Sequence, residues 1–183
     1  MWSESLSGNH INSSWAAFDE RGIGLCKEYY LIKIYVDADG CPVKEEVYRV
    51  ARRYGLRVYV VSNSTIRIPQ EELFELVIVK DQFDAADDWI VEHVRENDIA
   101  VSADIPLAAR CLEKGARVLD PKGRVFTKES IGGVLANRDL MAHLRDLGNF
   151  TGGPGPFAKR DRSRFLQNLD GVIQASFKTM RRA

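Results

Sequence analysis

The chain has 183 residues, 45% of them hydrophobic and 28% charged, and its formal net charge at pH 7 is zero. These values are typical of one soluble globular domain with a sizeable core. No apolar run approaches the ~20 residues of a membrane helix, and the first residues lack the basic start and apolar core of a signal peptide. The three cysteines form no C-x-x-C pair, so we expect a cytoplasmic protein without a disulfide framework or a zinc site.

The charges are segregated along the chain. Residues 34–104 carry 15 acidic and 8 basic side chains, a balance of −7, whereas residues 151–183 carry 7 basic and 2 acidic ones, a balance of +5. A solvated surface is one explanation of this pattern. The other is an acidic site combined with a basic tail that contacts a polyanion.

No periodic apolar pattern persists through residues 1–29. We therefore expect a poorly structured N-terminal extension followed by one α/β domain over residues 30–183. The first strand is predicted up to Val36, where it runs into two aspartates. Gly40 then predicts a tight turn. Pro42 is expected at the first position of the first helix, and Gly55 is expected to end that helix.

Strands and helices alternate over the next hundred residues. Further strands are predicted over residues 56–61, 73–79, 99–102 and 116–119, although residues 73–79 could also begin a helix. Further helices are predicted over residues 84–97, 107–114, 130–147 and 165–177. Alternating strands and helices predict right-handed β-α-β units and a mainly parallel sheet.

Acidic side chains recur where strands end or helices begin. They form three groups, which are Asp37 with Asp39, Asp84 with Asp87 and Asp88, and Asp104. In an open α/β sheet, ligands bind outside the carboxyl ends of the strands, so these groups are expected to meet there. Carboxylates suit hard cations such as Mg²⁺ or Mn²⁺, which support phosphodiester cleavage. The alternative is that the aspartates are helix caps, with Asp84 a natural N-cap.

Other polar residues also allow both a functional and a structural interpretation. Cys41 is expected near a helix N-terminus, where a thiol is activated, but a small packed residue is favoured. Ser62 and Asn63 could bind phosphate, although a polar turn is favoured. The basic residues near the C-terminus could bind a polyanion or form a solvated face; they are Lys159, Arg160, Arg162 and Arg164.

Four motifs in a fixed order carry a resemblance to a known family. They are DADGCPVK at residues 37–44, DAADDWI at 84–90, SADIPLA at 102–108, and GGP at 152–154 with KRDRS at 159–163. Over residues 32–178 they resemble the YaiI/YqxD family of bacterial proteins. That family is similar to PIN-like domains, which are α/β nucleases with acidic residues around one or two divalent metals.

The resemblance implies a three-layer PIN-like α/β fold, with a mainly parallel central sheet of four to five strands flanked by helices. It also implies a ribonuclease site that uses Mg²⁺ or Mn²⁺. Carried over by position, the catalytic residues would be Asp37, Asp39 and Asp104. The metal ligands would be Asp37, Asp84, Asp88 and Asp104. Apart from these acids, we expect six residues to bind the substrate, which are Lys44, Asn63, Ser102, Lys159, Arg160 and Arg162.

Two alternatives to a nuclease stay open at this point. The first is a PIN-like module that holds metal or nucleic acid without turnover. The second is a small-nucleotide phosphohydrolase, because Asp-x-Asp after a strand also occurs in phosphatases with an aspartate nucleophile. RNA is the favoured partner over DNA, no membrane partner is expected, and the oligomeric state is left open.

Overall fold

The computed structural model describes residues 32–39, 41–80, 84–147 and 155–182. The predicted N-terminal extension, the turn at Gly40 and the Gly-Gly-Pro motif at 152–154 lie outside these residues. In the described part of the chain, no helix combines the length and the apolar character needed to cross a membrane.

The described residues form six strands in one sheet, in the order β3-β2-β1-β4-β5-β6. All neighbouring strands are parallel except β6, which is antiparallel to β5. The strands are β1 (Lys33–Asp37), β2 (Arg57–Ser62), β3 (Phe74–Ile78), β4 (Ile99–Val101), β5 (Arg117–Leu119) and β6 (Val125–Phe126). The mainly parallel sheet is confirmed, and segment 73–79 is a strand rather than a helix start.

In the described ranges, five helices cover the two faces of the sheet. They are α1 (Lys44–Tyr54), α2 (Ala85–His93), α3 (Ile105–Glu113), α4 (Lys128–Asp146) and α5 (Lys159–Met180). One buried core lies between the sheet and helices α1 and α5, and a second lies between the sheet and helices α2, α3 and α4. The molecule therefore has a three-layer α/β fold, as the resemblance implies.

The alternation of side chains along β1 explains why it is apolar throughout. Ile34 and Val36 point into the first core, whereas Tyr35 points into the second. A strand covered on both faces needs apolar residues at successive positions. The same period of two places Asp37 on the face of Tyr35, toward α2 and α3.

Two predictions about element ends were wrong and one was confirmed. Pro42 precedes α1 instead of beginning it, because Val43 is the N-cap. Helix α2 ends at His93, four residues before the expected Asn97, because Val94 has an extended backbone. Gly55, at a φ of 65°, ends α1 as expected, since glycine adopts the left-handed conformation without a steric cost.

Strand β6 was not predicted, and it raises the strand count above the expected four to five. Its two residues follow a turn at Gly123, which has a φ of 81°. A Cβ atom at Gly123 would lie 2.6 Å from the backbone nitrogen of Phe165. The turn can therefore pack against α5 only because residue 123 has no side chain.

The strand order reverses at β1. From β1 the chain moves through β2 to β3 on one side, and it then returns to place β4 and β5 on the other side. Such a switch point leaves a crevice at the carboxyl ends of the two diverging strands, here β1 and β4. The candidate site lies at this edge.

Candidate active site

Two buried serines hold the aspartates that follow β1. The Ser102 hydroxyl, just after β4, donates a hydrogen bond to Asp37 Oδ2 at 2.7 Å. The Ser62 hydroxyl, at the end of β2, donates to Asp39 Oδ1 at 3.2 Å. Both serines are fully buried, so hydroxyls from the two neighbouring strands orient the carboxylates at the end of β1.

Ser102 also connects Asp37 to Asp104. The backbone N–H of Asp104 donates to Ser102 Oγ at 2.9 Å, so one hydroxyl joins the acid after β1 to the residue that begins α3. Asp104 is the N-cap of α3, and its Oδ1 accepts a hydrogen bond from the N–H of Leu107 at 2.8 Å. Asp104 therefore is a helix cap, as the structural alternative held, and also lies beside Asp37.

The first turn of α2 contributes Asp87 to the acidic edge. Burial, followed by the negative charges of Asp104, Asp37 and Asp84, raises the pKa of Asp87 to about 6, and Arg110 opposes this effect. Burial also raises the pKa of Asp37, with the charges of Asp39 and Asp104 adding to it and the hydrogen bond from Ser102 opposing it. The carboxylates thus repel one another across the crevice, and a shared proton or cation would relieve this repulsion.

Asp84 and Asp88, which the sequence grouped with Asp87, do not match the expectations from the sequence. Asp84 is not a conventional N-cap: its φ is 57°, and its side chain makes no capping hydrogen bond. Asp88 is exposed and forms an ion pair with Arg110 at 2.6 Å. The α2 acid whose charge interacts with Asp37 and Asp104 is therefore Asp87. Asp87 belongs to the predicted group of Asp84 and Asp88, but it was not among the expected metal ligands.

We name Asp37, Asp39, Asp87 and Asp104 the acidic edge. Its donors are all carboxylate oxygens, the type that Mg²⁺ and Mn²⁺ prefer. Across the described ranges, however, no three acidic, histidine or cysteine side chains lie close enough together to surround one ion as they stand. Holding an ion there requires side-chain rotation.

Three of the predicted substrate-binding residues lie at or close to the acidic edge. The Lys44 ammonium group donates to the carbonyl oxygen of Ala38, between Asp37 and Asp39, at 3.2 Å. Asn63 is exposed directly after β2. Ser102, the third such residue at this edge, is buried, and its hydroxyl is committed to Asp37 and to the backbone of Asp104.

Cys41 is a packed residue instead of an activated thiol. It is 5% exposed within the first core, and burial raises its pKa to about 11. The proximity of α1 does not offset the loss of hydration, so the thiol stays protonated near neutral pH.

The basic residues at the start of α5 divide into two kinds. Arg162 forms an ion pair with the buried Glu46 at 2.9 Å, and Arg164 donates from Nε to the carbonyl oxygen of Lys122 at 2.6 Å. Lys159 and Arg160 are exposed. The first two therefore hold α5 on the domain, whereas the second two are open to solvent.

Comparison with known proteins gives one consistent result. Residues 35–175 match the model of the family described as Uncharacterized BCR, YaiI/YqxD family. A UPF0178 protein of Rhodospirillum centenum is 55% identical over 149 residues, which cover 79% of this chain and 97% of that protein. A UPF0178 protein of Brucella ovis is 57% identical over 143 residues, covering 78% and 89% of the two chains. No solved structure matches the chain.

Proposed function

The chain belongs to the YaiI/YqxD family, and from its acidic edge we propose that it is a divalent-metal-dependent nuclease that hydrolyses RNA. The observation that carries this proposal is the Ser102 hydroxyl, which joins the Asp37 carboxylate to Asp104 across the switch point. Ligands of open α/β sheets bind at such a point, and carboxylates there favour a cationic ligand.

The donor set fits Mg²⁺ or Mn²⁺ in its chemistry. We propose that Asp37, Asp87 and Asp104 hold the ion, because these carboxylates are coupled through their charges. Asp84 stays a candidate ligand, and Asp88 would first have to leave Arg110. When bound, the ion would stabilise negative charge on a phosphate and favour deprotonation of a water molecule.

The remaining groups of the edge have separate tasks in this proposal. Asp39 is exposed and oriented by Ser62, so it is placed to accept the proton of the attacking water. The ammonium group of Lys44, which donates to the carbonyl oxygen of Ala38, would contact the phosphate of the substrate. The two serines keep the carboxylates in place.

Cleavage of a labelled single-stranded RNA in the presence of Mn²⁺ tests the function. Asp37→Asn keeps the shape of the side chain and removes its charge, so we expect the rate to fall by at least about 100-fold, with an unchanged circular dichroism spectrum. Asp88→Asn is the matched control, because it removes an acid of the same region that is paired with Arg110, and it should keep most of the activity. Equal activity of wild type and Asp37→Asn would refute a catalytic acidic edge.

One observation favours a second candidate, a module that binds metal or nucleic acid without turnover. In the part of the chain that the structure describes, the carboxylates do not already surround an ion position. The same assay separates the two candidates, because Mn²⁺ binding by wild type without hydrolysis of RNA or DNA would favour the module.

A further inference from the structure

An apolar groove opens beside the acidic edge, between the start of α3 and the segment that precedes α5. Its volume is about 440 Å³, and its walls include Ile105, Pro121 and Phe157, with Lys122 and Arg124 as its cations. We propose that this groove binds one nucleotide of a single-stranded RNA, with the base on the apolar wall and the phosphate at the two cations. This inference rests on the proposed function and adds the form of the substrate to it.

The position of the groove relative to Asp104 supports this assignment. Ala103 and Ile105 both line the groove, and they are the residues on either side of Asp104. The groove and the acidic edge therefore share the start of α3. A nucleotide in the groove would place its neighbouring phosphodiester at the acidic edge, where hydrolysis is proposed.

The aromatic part of the wall is held in place before any ligand arrives. Phe157 is half-buried, and the guanidinium of Arg162 lies 5.6 Å from the centre of its ring. Arg162 is itself fixed by its ion pair with the buried Glu46. Stacking of a base on an aromatic ring does not depend on the nucleotide sequence, since every base has a π face.

The charge of the groove matches a nucleotide and contrasts with the acidic edge next to it. Its ionisable residues are Asp120, Lys122 and Arg124, with a net charge of +1. The Asp120 carboxylate accepts a hydrogen bond from the backbone N–H of Arg124 at 2.7 Å, which holds the turn that carries both cations. An apolar surface for a base with cations for a phosphate is the combination that single-stranded nucleic acids require, and the volume is that of a small-molecule site.

Fluorescence anisotropy with a labelled single-stranded oligouridylate, in EDTA so that no hydrolysis occurs, tests the groove. We expect Phe157→Ala and Arg124→Glu each to weaken binding by at least about fivefold, while Phe157→Tyr retains wild-type affinity. Lys114→Glu makes the same charge change as Arg124→Glu at the exposed far end of α3, and it should stay within about twofold of wild type. Thermal melting of each variant verifies that it is folded.

Three results would overturn the proposal. The first is the absence of RNA binding by wild type, and the second is unchanged affinity in folded Phe157→Ala and Arg124→Glu proteins. The third is a loss of affinity in Lys114→Glu equal to that in Arg124→Glu, which would show that the net charge of the protein, and not the groove, determines binding. Because the measurement excludes metal, it is independent of the nuclease assay. Groove binding without hydrolysis would refute the proposed reaction alone, and Mn²⁺-dependent hydrolysis without groove binding would refute the groove alone.

Discussion

Ser62 and Ser102 are used in the same way at neighbouring strand ends. Each hydroxyl donates to one aspartate of the Asp37-x-Asp39 pair and accepts from the backbone N–H two residues further on. A hydroxyl fixes the direction of a carboxylate but leaves its negative charge, whereas arginine would neutralise it, as Arg110 does for Asp88. The serines therefore give an acidic edge that is oriented and still charged.

The effect of this negative charge on folding stability can be measured at Asp87. Its pKa of about 6, compared with an ordinary value of 3.8, means that the folded state holds the proton more tightly than the unfolded state. The ionised side chain thus lowers stability, an effect that grows as the pH rises between these two values and is complete above them. We expect Asp87→Asn to raise the unfolding free energy by about 1–2 kcal/mol at about pH 8, or Tm by about 2–6 °C, with little change near pH 4.

Thermal unfolding of both proteins in EDTA, followed by circular dichroism at these two pH values, checks this expectation. Asp88→Asn should not be stabilised, because it loses an ion pair. An equal shift of Tm at both pH values in Asp87→Asn would show that packing, and not charge, separates it from wild type.

The sequence was sufficient to select Asp37, Asp39 and Asp104 of the acidic edge, but it was insufficient to select Asp87. Asp37, Asp39 and Asp104 follow strands whose ends must meet at one edge of a parallel sheet. The choice among the α2 acids depends on where the helix begins. Asp84 has a left-handed backbone, so it precedes the helix, and the expected ligands Asp84 and Asp88 did not include Asp87.

At the scale of elements, α5 is fastened to α1 by polar contacts at both ends of their interface. Arg162 pairs with Glu46 near the start of α5, and further along the hydroxyl of Tyr54 and the guanidinium of Arg53 both donate to Asp170. Glu46 is 2% exposed, and one of its carboxylate oxygens has no hydrogen-bond partner among the residues that the structure describes. The ion pair with Arg162 therefore compensates its buried negative charge.

Arg162→Ala should lower the unfolding free energy by about 2–3 kcal/mol, because it leaves the buried Glu46 carboxylate unpaired. Adding Glu46→Gln to that variant should recover part of the loss. Arg160→Ala, at an exposed position of the same turn, is the matched control and should change stability by less than about 0.5 kcal/mol. Urea denaturation measures all three variants. A loss of equal size in Arg160→Ala would show that the ion pair is not the cause.

The elements that the sequence predicted well are those with a long periodic or β-branched pattern. Helix α5 was predicted from Phe165, Leu169, Ile173 and Phe177, which all lie in the first core. Strand β6 was missed because two residues carry no period, and its place depends on pairing with β5 and on the close contact of Gly123 with α5. Sequence patterns also could not assign Arg162 to Glu46, since the two are 116 residues apart.

At the scale of the whole molecule, the two edges of the sheet use acidic side chains in opposite ways. Asp98, just before β4, accepts hydrogen bonds from the backbone N–H groups of Lys33 and Arg95 at 2.8 and 2.9 Å, which satisfy its carboxylate and join the starts of β1 and β4. At the carboxyl edge, Asp37 and Asp87 face other carboxylates. The acidic balance of residues 34–104 therefore has a structural part at one edge and a proposed metal-binding part at the other.

Titration of the protein with Mn²⁺, followed by the electron paramagnetic resonance signal of the free ion, tests the central claim most directly. If the acidic edge is a metal site, wild type and Asp88→Asn will bind Mn²⁺ with similar affinity, and Asp37→Asn will bind it at least about tenfold more weakly, because it loses one charged ligand. The same Mn²⁺ affinity in Asp37→Asn and wild type, or no binding by wild type, would contradict the account.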